Sequence, residues 1–195
     1  MTSERIKIKM NIKKVEDKTK NKIDYYNTIN STHLKAKQIA SNIDANKKII
    51  IAKTQTNAIG SKGRSWYTGN NSNIAMTIIL KPDCKVKELD GLTLKIANVI
   101  KKAIYNLYGY KLEIKEPNDL MLNGKKICGI LTEVNTIGEK INYLLISIGF
   151  NVNEQEFSKE TRKIATSLKL EYGKDYEREE IIIEIINQLK KEIEI

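Results

Sequence analysis

Histidine, tryptophan, cysteine and proline are nearly missing from this chain of 195 residues, which has one His, one Trp, two Cys and two Pro. The two cysteines, Cys84 and Cys128, lie far apart and without metal-ligand spacing, which excludes a disulfide framework and leaves free thiols as the expectation. The lone histidine, His33, stands at the start of a predicted helix and reads as a surface residue there rather than as a catalytic base. No stretch approaches the roughly 20 apolar residues of a membrane span. The charged start, Met1 to Lys20, has no signal-peptide core. A cytosolic, cytoplasmic protein without a membrane partner is therefore expected. No internal repeat and no Pro/Gly/Ser linker divides the chain, and 195 residues at 41% hydrophobic suffice for one good core. The expectation is a single domain over residues 1–195.

A net charge of +10 is present. Such an excess raises the affinity for phosphate backbones and speeds encounter with acidic partners. Here lysine, isoleucine and asparagine recur along the whole length, so the excess reads as compositional bias rather than as a focused basic stripe. DNA binding is not expected.

The hydropathy pattern alternates between strand and helix periods. Residues 5–12 alternate as a half-buried strand, and 22–29 is a short strand candidate. Ser31 or Thr32 offers an N-cap for a helix to about Ile43, with its first amides near a ligand. Residues 48–54 and 73–81 read as strands, separated by a glycine-containing loop over 57–71. Leu92, Ile96, Val99, Ile100 and Ile104 fall at helical spacing in 91–108. Strands at 111–116 and 142–151 and a helix from about Glu177 complete the series.

The richest stretch runs from Lys115 to Val134. A polar Lys-Glu-Pro-Asn-Asp cluster leads into Leu-Met-Leu, then Asn123-Gly124, then an alternating return. Asn-Gly between apolar runs predicts a hairpin, because both turn positions must tolerate positive φ. Strands 119–122 and 126–134 would set Lys115, Asn118, Asp119 and Lys126 near one end, with Gly129 leaving room for a ligand at the backbone. Cations, an amide and a carboxylate together suit a phosphate and its metal ion. In the 57–71 loop, Gly60, Lys62, Gly63 and Arg64 suit an anion. Walker P-loop spacing is absent.

These residues carry a resemblance. Residues 115–133 resemble the K-W-P-N-D…G-K-K-x-x-G-I-L-x-E signature of the biotin protein ligase catalytic domain. Asn30-Ser31-Thr32-His33 resembles that family's D-S-T-N, and Ala52 to Trp66 its A-x-x-Q-x-x-G-R-G-R-x-G-R-x-W. Gly149 to Asn153 is similar to G-I-N-V-N, and Thr166-Ser167-Leu168 follows in order. The set spans about residues 25–190.

The resemblance implies an α+β fold of the class II aminoacyl-tRNA synthetase-like type, with a mixed, mainly antiparallel sheet flanked by helices. It implies ATP-dependent attachment of biotin to a lysine of a biotin carboxyl carrier protein through biotinyl-5′-AMP, with biotin, ATP and Mg²⁺ in the site. A monomer or weak homodimer is implied. The implied biotin-binding residues are Ser31, Thr32, His33, Gln55, Ile59, Gly60, Ser61, Lys126, Gly129 and Leu131. Ser31, Thr32 and Gln55 match positions that hydrogen-bond the ureido ring. Lys126 and Arg64 match the catalytic cations. Arg64, Trp66, Lys115, Asn118 and Asn151 match nucleotide-binding positions, and Asp119 matches a magnesium position. The 57–71 loop would fold over the adenylate and exclude water.

Three departures stand out. Ser61 replaces an arginine of the loop motif, so faster release of the adenylate is expected. Glu116 replaces the tryptophan of K-W-P-N-D, and Phe150 replaces the isoleucine of G-I-N. Two other readings remain open at this point: a lipoate or octanoate ligase or transferase of the same fold, and a non-catalytic ligand- or nucleic-acid-binding protein. The first lacks its Arg-rich S-G-G-G motif here. An N-terminal helix-turn-helix and a C-terminal SH3-like barrel are not expected.

Overall fold

The computed structural model describes residues 10–63, 66 and 71–193. Helix α1 spans Ile12–Thr19 and is followed by β1 (Ile23–Ile29), α2 (Thr32–Ile39), β2 (Ile49–Gln55), β3 (Ile74–Leu80) and α3 (Leu92–Tyr108). Strands β4 (Glu113–Lys115), β5 (Asp119–Leu122), β6 (Lys125–Ile137) and β7 (Lys140–Phe150) come next, then α4 (Thr161–Ile164), α5 (Leu168–Tyr172) and α6 (Arg178–Glu192). The described strands form one sheet in the order β1-β2-β3-β7-β6-β5-β4, in which β1 and β2 run parallel and every other pair is antiparallel. This is the mixed, mainly antiparallel α+β architecture expected. Among the described residues, no helix is long and apolar enough to cross a membrane.

Period-two alternation divides the sheet into two faces with different tasks. Ile74, Met76, Ile78 and Leu80 of β3 join Leu144, Ile146, Ile148 and Phe150 of β7 in the larger core, covered by α3 and α6. Residues of opposite parity, Ile79 and Leu145 with Tyr143 and Ile50, pack instead against Ala36 and Ala40 of α2. Helix α2 covers only part of that second face. The remaining positions there are small or polar: Ala75, Thr77, Ser147 and Gly149. Their smallness opens the surface on which the candidate site is built.

The hairpin forms as expected, with Asn123 at φ 50° and Gly124 at φ 75°. Both values are those of a type I′ turn, whose twist suits paired strands. Cys84 and Cys128 are free, and Cys128 is buried on β6.

The N-terminal expectation is corrected. Residues 5–9 lie outside the described residues, and Ile12 begins a helix rather than ending a strand. Asn11 caps that helix by accepting from the Lys14 amide at 3.0 Å, while Glu179 on α6 accepts the Asn11 amide at 2.6 Å. Ile12, Val15 and Thr19 fall at helical spacing, and Val15 and Thr19 are buried. The alternation upstream masked this cap. The short helices α4 and α5 were not foreseen either.

Candidate active site

Register fixes the floor of the site. Gly149 pairs with Ala75 on one side and with Gly129 on the other, so three consecutive strands present almost no side chain at this row. The next row places Leu131, Ser147 and Thr77 side by side, and the row after it Glu133, Leu145 and Ile79.

Trp66 lies over the bare row. A Cβ added at Gly149 would meet the indole at 2.5 Å, and one added at Gly129 would meet it at 2.8 Å, so both positions require glycine while the ring is there. The Trp66 amide is anchored on the Ala58 carbonyl at 3.0 Å, and its buried Nε1 has no hydrogen-bond partner. Between the indole and the sheet only about 40 Å³ remains, lined by Ser31, Thr32, Gln55, Ile59, Gly60 and Leu131 among others. That is room for a few waters rather than a bicyclic ligand. Trp66, matched to the nucleotide by resemblance, therefore fills the slot formed by the residues matched to biotin.

Lys126 sits at the junction of this slot and a second cavity of about 370 Å³, which is lined by Lys115, Asp119, Met121, Asn151, Phe157 and Ile164 among others. Such a volume lies within the usual range for small-molecule clefts, about 300–1,000 Å³. The Lys126 ammonium is 2.6 Å from Asp119 Oδ1 and 5.1 Å from the centroid of the Trp66 ring. Asp119 Oδ1 is buried and held by this charge contact rather than by an aligned hydrogen bond. Among the described residues, position 126 alone faces both spaces with a cation. Arg64 and the side chain of Lys62 lie outside the described residues.

Asn118 ties the loop to the sheet. Its amide donates to Ser61 Oγ at 3.1 Å and to the Ile130 carbonyl at 3.0 Å, which places it by the narrow slot rather than in the second cavity with Lys115 and Asn151. Asn151 is buried and donates to the Thr166 carbonyl at 3.0 Å. Ser61, read as a departure, is thus an acceptor that fastens the loop.

At the other end, Ser31 caps α2 and accepts from the Leu34 amide at 3.4 Å. Gln55 Oε1 accepts from the Thr32 amide at 2.7 Å and from its hydroxyl at 3.1 Å. His33 is not a surface residue: it is 4% exposed, with Ser147 and Glu133 on its two ring nitrogens. Its neighbour Thr32, the first residue of α2, lines the slot, and the next position turns onto the sheet instead of outward. Burial works against ionisation of Glu133, but hydrogen bonds from Lys37 and His33 outweigh it and hold this carboxyl below its usual range. Sequence reasoning took in Glu133 only as the last letter of the 115–133 signature, without a role, and missed Ser147 and Thr77, because each is an ordinary polar residue on a strand until register brings the three together.

Asp119 is a lone carboxylate, and no group of three or more His, Cys, Asp or Glu side chains able to hold a metal occurs among the described residues. One carboxylate beside a cavity of about 370 Å³ still fits magnesium, which takes few protein ligands and keeps water and substrate phosphate as the rest.

Comparison with known proteins agrees with the geometry. The bifunctional ligase/repressor BirA of Bacillus subtilis is 34% identical over 164 residues, covering 83% of this chain and 50% of that protein. BirA of Escherichia coli is 24% identical over 145 residues, covering 74% and 45%. The chain thus spans about half the length of the curated relatives it matches. In fold it is similar to the biotin protein ligase from Aquifex aeolicus in complex with biotin and ATP, with a TM-score of 0.76 at 24% identity over 89% of this chain and 70% of that one. The family model described as the biotin/lipoate A/B protein ligase family matches residues 25–153, and the chain belongs to that family.

Proposed function

We propose that this protein is a biotin ligase, which joins biotin to a lysine of a biotin carboxyl carrier protein at the expense of ATP. The observation that carries this reading is the position of Lys126 between a polar-ended slot and a larger cavity that also holds Lys115 and Asp119. The slot ends in Thr32 and Gln55, whose hydroxyl and amide suit the carbonyl and N–H groups of a cyclic urea. A dithiolane or an octanoyl chain has no groups to satisfy them, and this disfavours the lipoate reading.

In the first step a biotin carboxylate oxygen attacks the α-phosphorus of ATP, and the bond to pyrophosphate breaks. Both reactants are anions, so the site must neutralise charge where they meet. Lys126 is placed to do so at the junction, with Lys115 on the nucleotide side. Asp119 would hold magnesium, which supplies further neutralisation at the phosphates. In the second step the amine of a carrier lysine attacks the acyl carbon of biotinyl-5′-AMP, an amide forms and AMP leaves. No side-chain nucleophile is required. Biotin enters only when the Trp66 indole leaves the slot, and the loop whose Ser61 accepts from Asn118 would then shield the mixed anhydride from water.

The test is to incubate the pure protein with biotin, MgATP and a biotin carboxyl carrier domain. Biotin-dependent pyrophosphate exchange and biotinylation of the carrier are expected. Exchange with lipoate or octanoate but not biotin would redirect the assignment within the family. Salt-sensitive oligonucleotide binding with no exchange would replace it.

A further inference from the structure

The five polar contacts from Gln55 to Glu133 form one unbranched chain: Gln55 Oε1 to Thr32 Oγ1 at 3.1 Å, Thr32 to Thr77 at 3.0 Å, Thr77 to Ser147 at 2.9 Å, Ser147 to His33 Nδ1 at 2.9 Å, and His33 Nε2 to Glu133 at 2.9 Å. Both ends are acceptors, because Gln55 Oε1 already receives the Thr32 amide and Glu133 receives Lys37 Nζ at 2.8 Å. Each contact needs one proton. Three hydroxyls supply one each, and a neutral imidazole supplies one more, which leaves one of the five contacts without a proton. An imidazolium supplies the missing proton. A protonated Glu133 would also close the count, but the hydrogen bonds of Lys37 and His33 hold that carboxyl in its ionised form.

We infer that His33 works as an imidazolium paired with Glu133, and that this pair is a positioning device for the substrate end of the slot. With both ring nitrogens protonated, Nδ1–H donates to Ser147, and the hydroxyls of Ser147, Thr77 and Thr32 all point the same way, away from His33. The last donor is the Thr32 hydroxyl. In this structure it goes to Gln55 Oε1; a ligand carbonyl seated there takes it, and Gln55 Oε1 is freed for a ligand N–H. When His33 loses its proton, Ser147 turns to donate to Nδ1 and the hydroxyls reverse, so the Thr32 proton is withdrawn from the slot. Gln55 tolerates this because it keeps the Thr32 amide at 2.7 Å. A ligand carbonyl has no such reserve, so its affinity falls. The groups facing His33 are Glu133 from β6, Ser147 from β7, Thr77 from β3 and Lys37 from its own helix, with Tyr143 acting on Lys37.

The ligand part of this inference rests on the biotin reading, whereas the charge state does not, and the experiment separates them. His33 is the only histidine, so one ¹H–¹⁵N correlation spectrum of the imidazole reads its protonation without assignment. Near neutral pH both ring nitrogens of the wild-type protein should carry protons. An unprotonated ring nitrogen overturns the inference whatever the enzyme does. Glu133→Gln should yield a neutral ring and weaken biotin about tenfold, the scale of one lost donor, while adenylation at saturating biotin stays within about twofold. His33→Asn supplies an amide N–H to Ser147 at every pH. Its biotin affinity should therefore not depend on pH, whereas that of the wild type should fall as rising pH removes the imidazolium proton. Unchanged biotin affinity in Glu133→Gln, or the same pH profile in His33→Asn and wild type, overturns the positioning role. A wild type that binds no biotin overturns the proposed function and leaves the imidazole spectrum to judge the charge.

Discussion

At the residue scale, Lys126 bears the largest expected effect. Its side chain is one-quarter exposed and faces two spaces, so its loss removes charge stabilisation without removing packing from the core. Lys126→Ala should cut biotin-dependent pyrophosphate exchange by about 10²–10³, while the far-UV circular dichroism of the folded protein is retained. Exchange at the wild-type rate would refute its assignment. Asp119→Asn keeps the shape of that side chain but removes its charge. It should raise the Mg²⁺ concentration needed for half-maximal adenylation and lower the rate, while biotin affinity measured by calorimetry is retained. Weakened biotin binding with normal adenylation would place Asp119 in the other space. Ser61 accepts from Asn118 and has neither the reach nor the charge of an arginine. Ser61→Arg should therefore slow release of biotinyl-5′-AMP and reduce labelling of a bystander protein such as albumin. Equal release from both proteins would show that the loop retains the intermediate by other contacts.

At the element scale, the pairing of β6 with β7 and β3 creates a row where Gly129, Gly149 and Ala75 lie side by side, and Trp66 lies on it. Gly149→Ala introduces a methyl group 2.5 Å from the indole, against backbone that the sheet holds in place. The ring must leave. Trp66 is the only tryptophan, so its emission should shift to the red in Gly149→Ala, and biotin affinity should fall because the same methyl narrows the slot. Emission at the wild-type wavelength would mean that the indole does not rest on this row in solution. The element also explains why Gly129 stood out in the sequence and Gly149 drew notice only within a motif: the first follows a turn signal, whereas the second acquires its role from a strand paired far along the chain.

At the scale of the whole molecule, the ion-paired network at His33, Glu133 and Lys37 links α2 to β6 and β7. The Glu133 carboxyl is held below its unfolded value, so the stability it contributes is complete above that value, about 4.3, and is lost as pH falls through the lower, folded one. Urea unfolding of wild type and Glu133→Gln should differ most near neutral pH and converge as pH falls below the ordinary carboxylate range. A constant difference across that range would remove the network from the acid stability of the fold.

The chain by itself determined its repeating elements and part of its site. Asn123-Gly124 specifies its turn because both residues accept positive φ, β2, β3 and β7 follow from short apolar runs, and α3 from an apolar period of about 3.6. Lys126, Asp119 and Gly129 were legible because the turn places them at short range. Helix α1 was misread, since an alternating stretch runs up to the Asn11 cap and the surface that Val15 buries against comes from α6 and β1, distant in sequence or not yet formed when α1 is read alone. His33 looked like an exposed residue at a helix start, and the tertiary structure made it buried. Nothing within α2 tells that Ser147, Thr77 and Glu133 will meet it, because those contacts join residues 114, 45 and 100 apart along the chain in the pairs His33–Ser147, Thr32–Thr77 and His33–Glu133. Strand order and register decide such meetings, and both are set by packing two differently covered faces of one sheet rather than by any local run of residues.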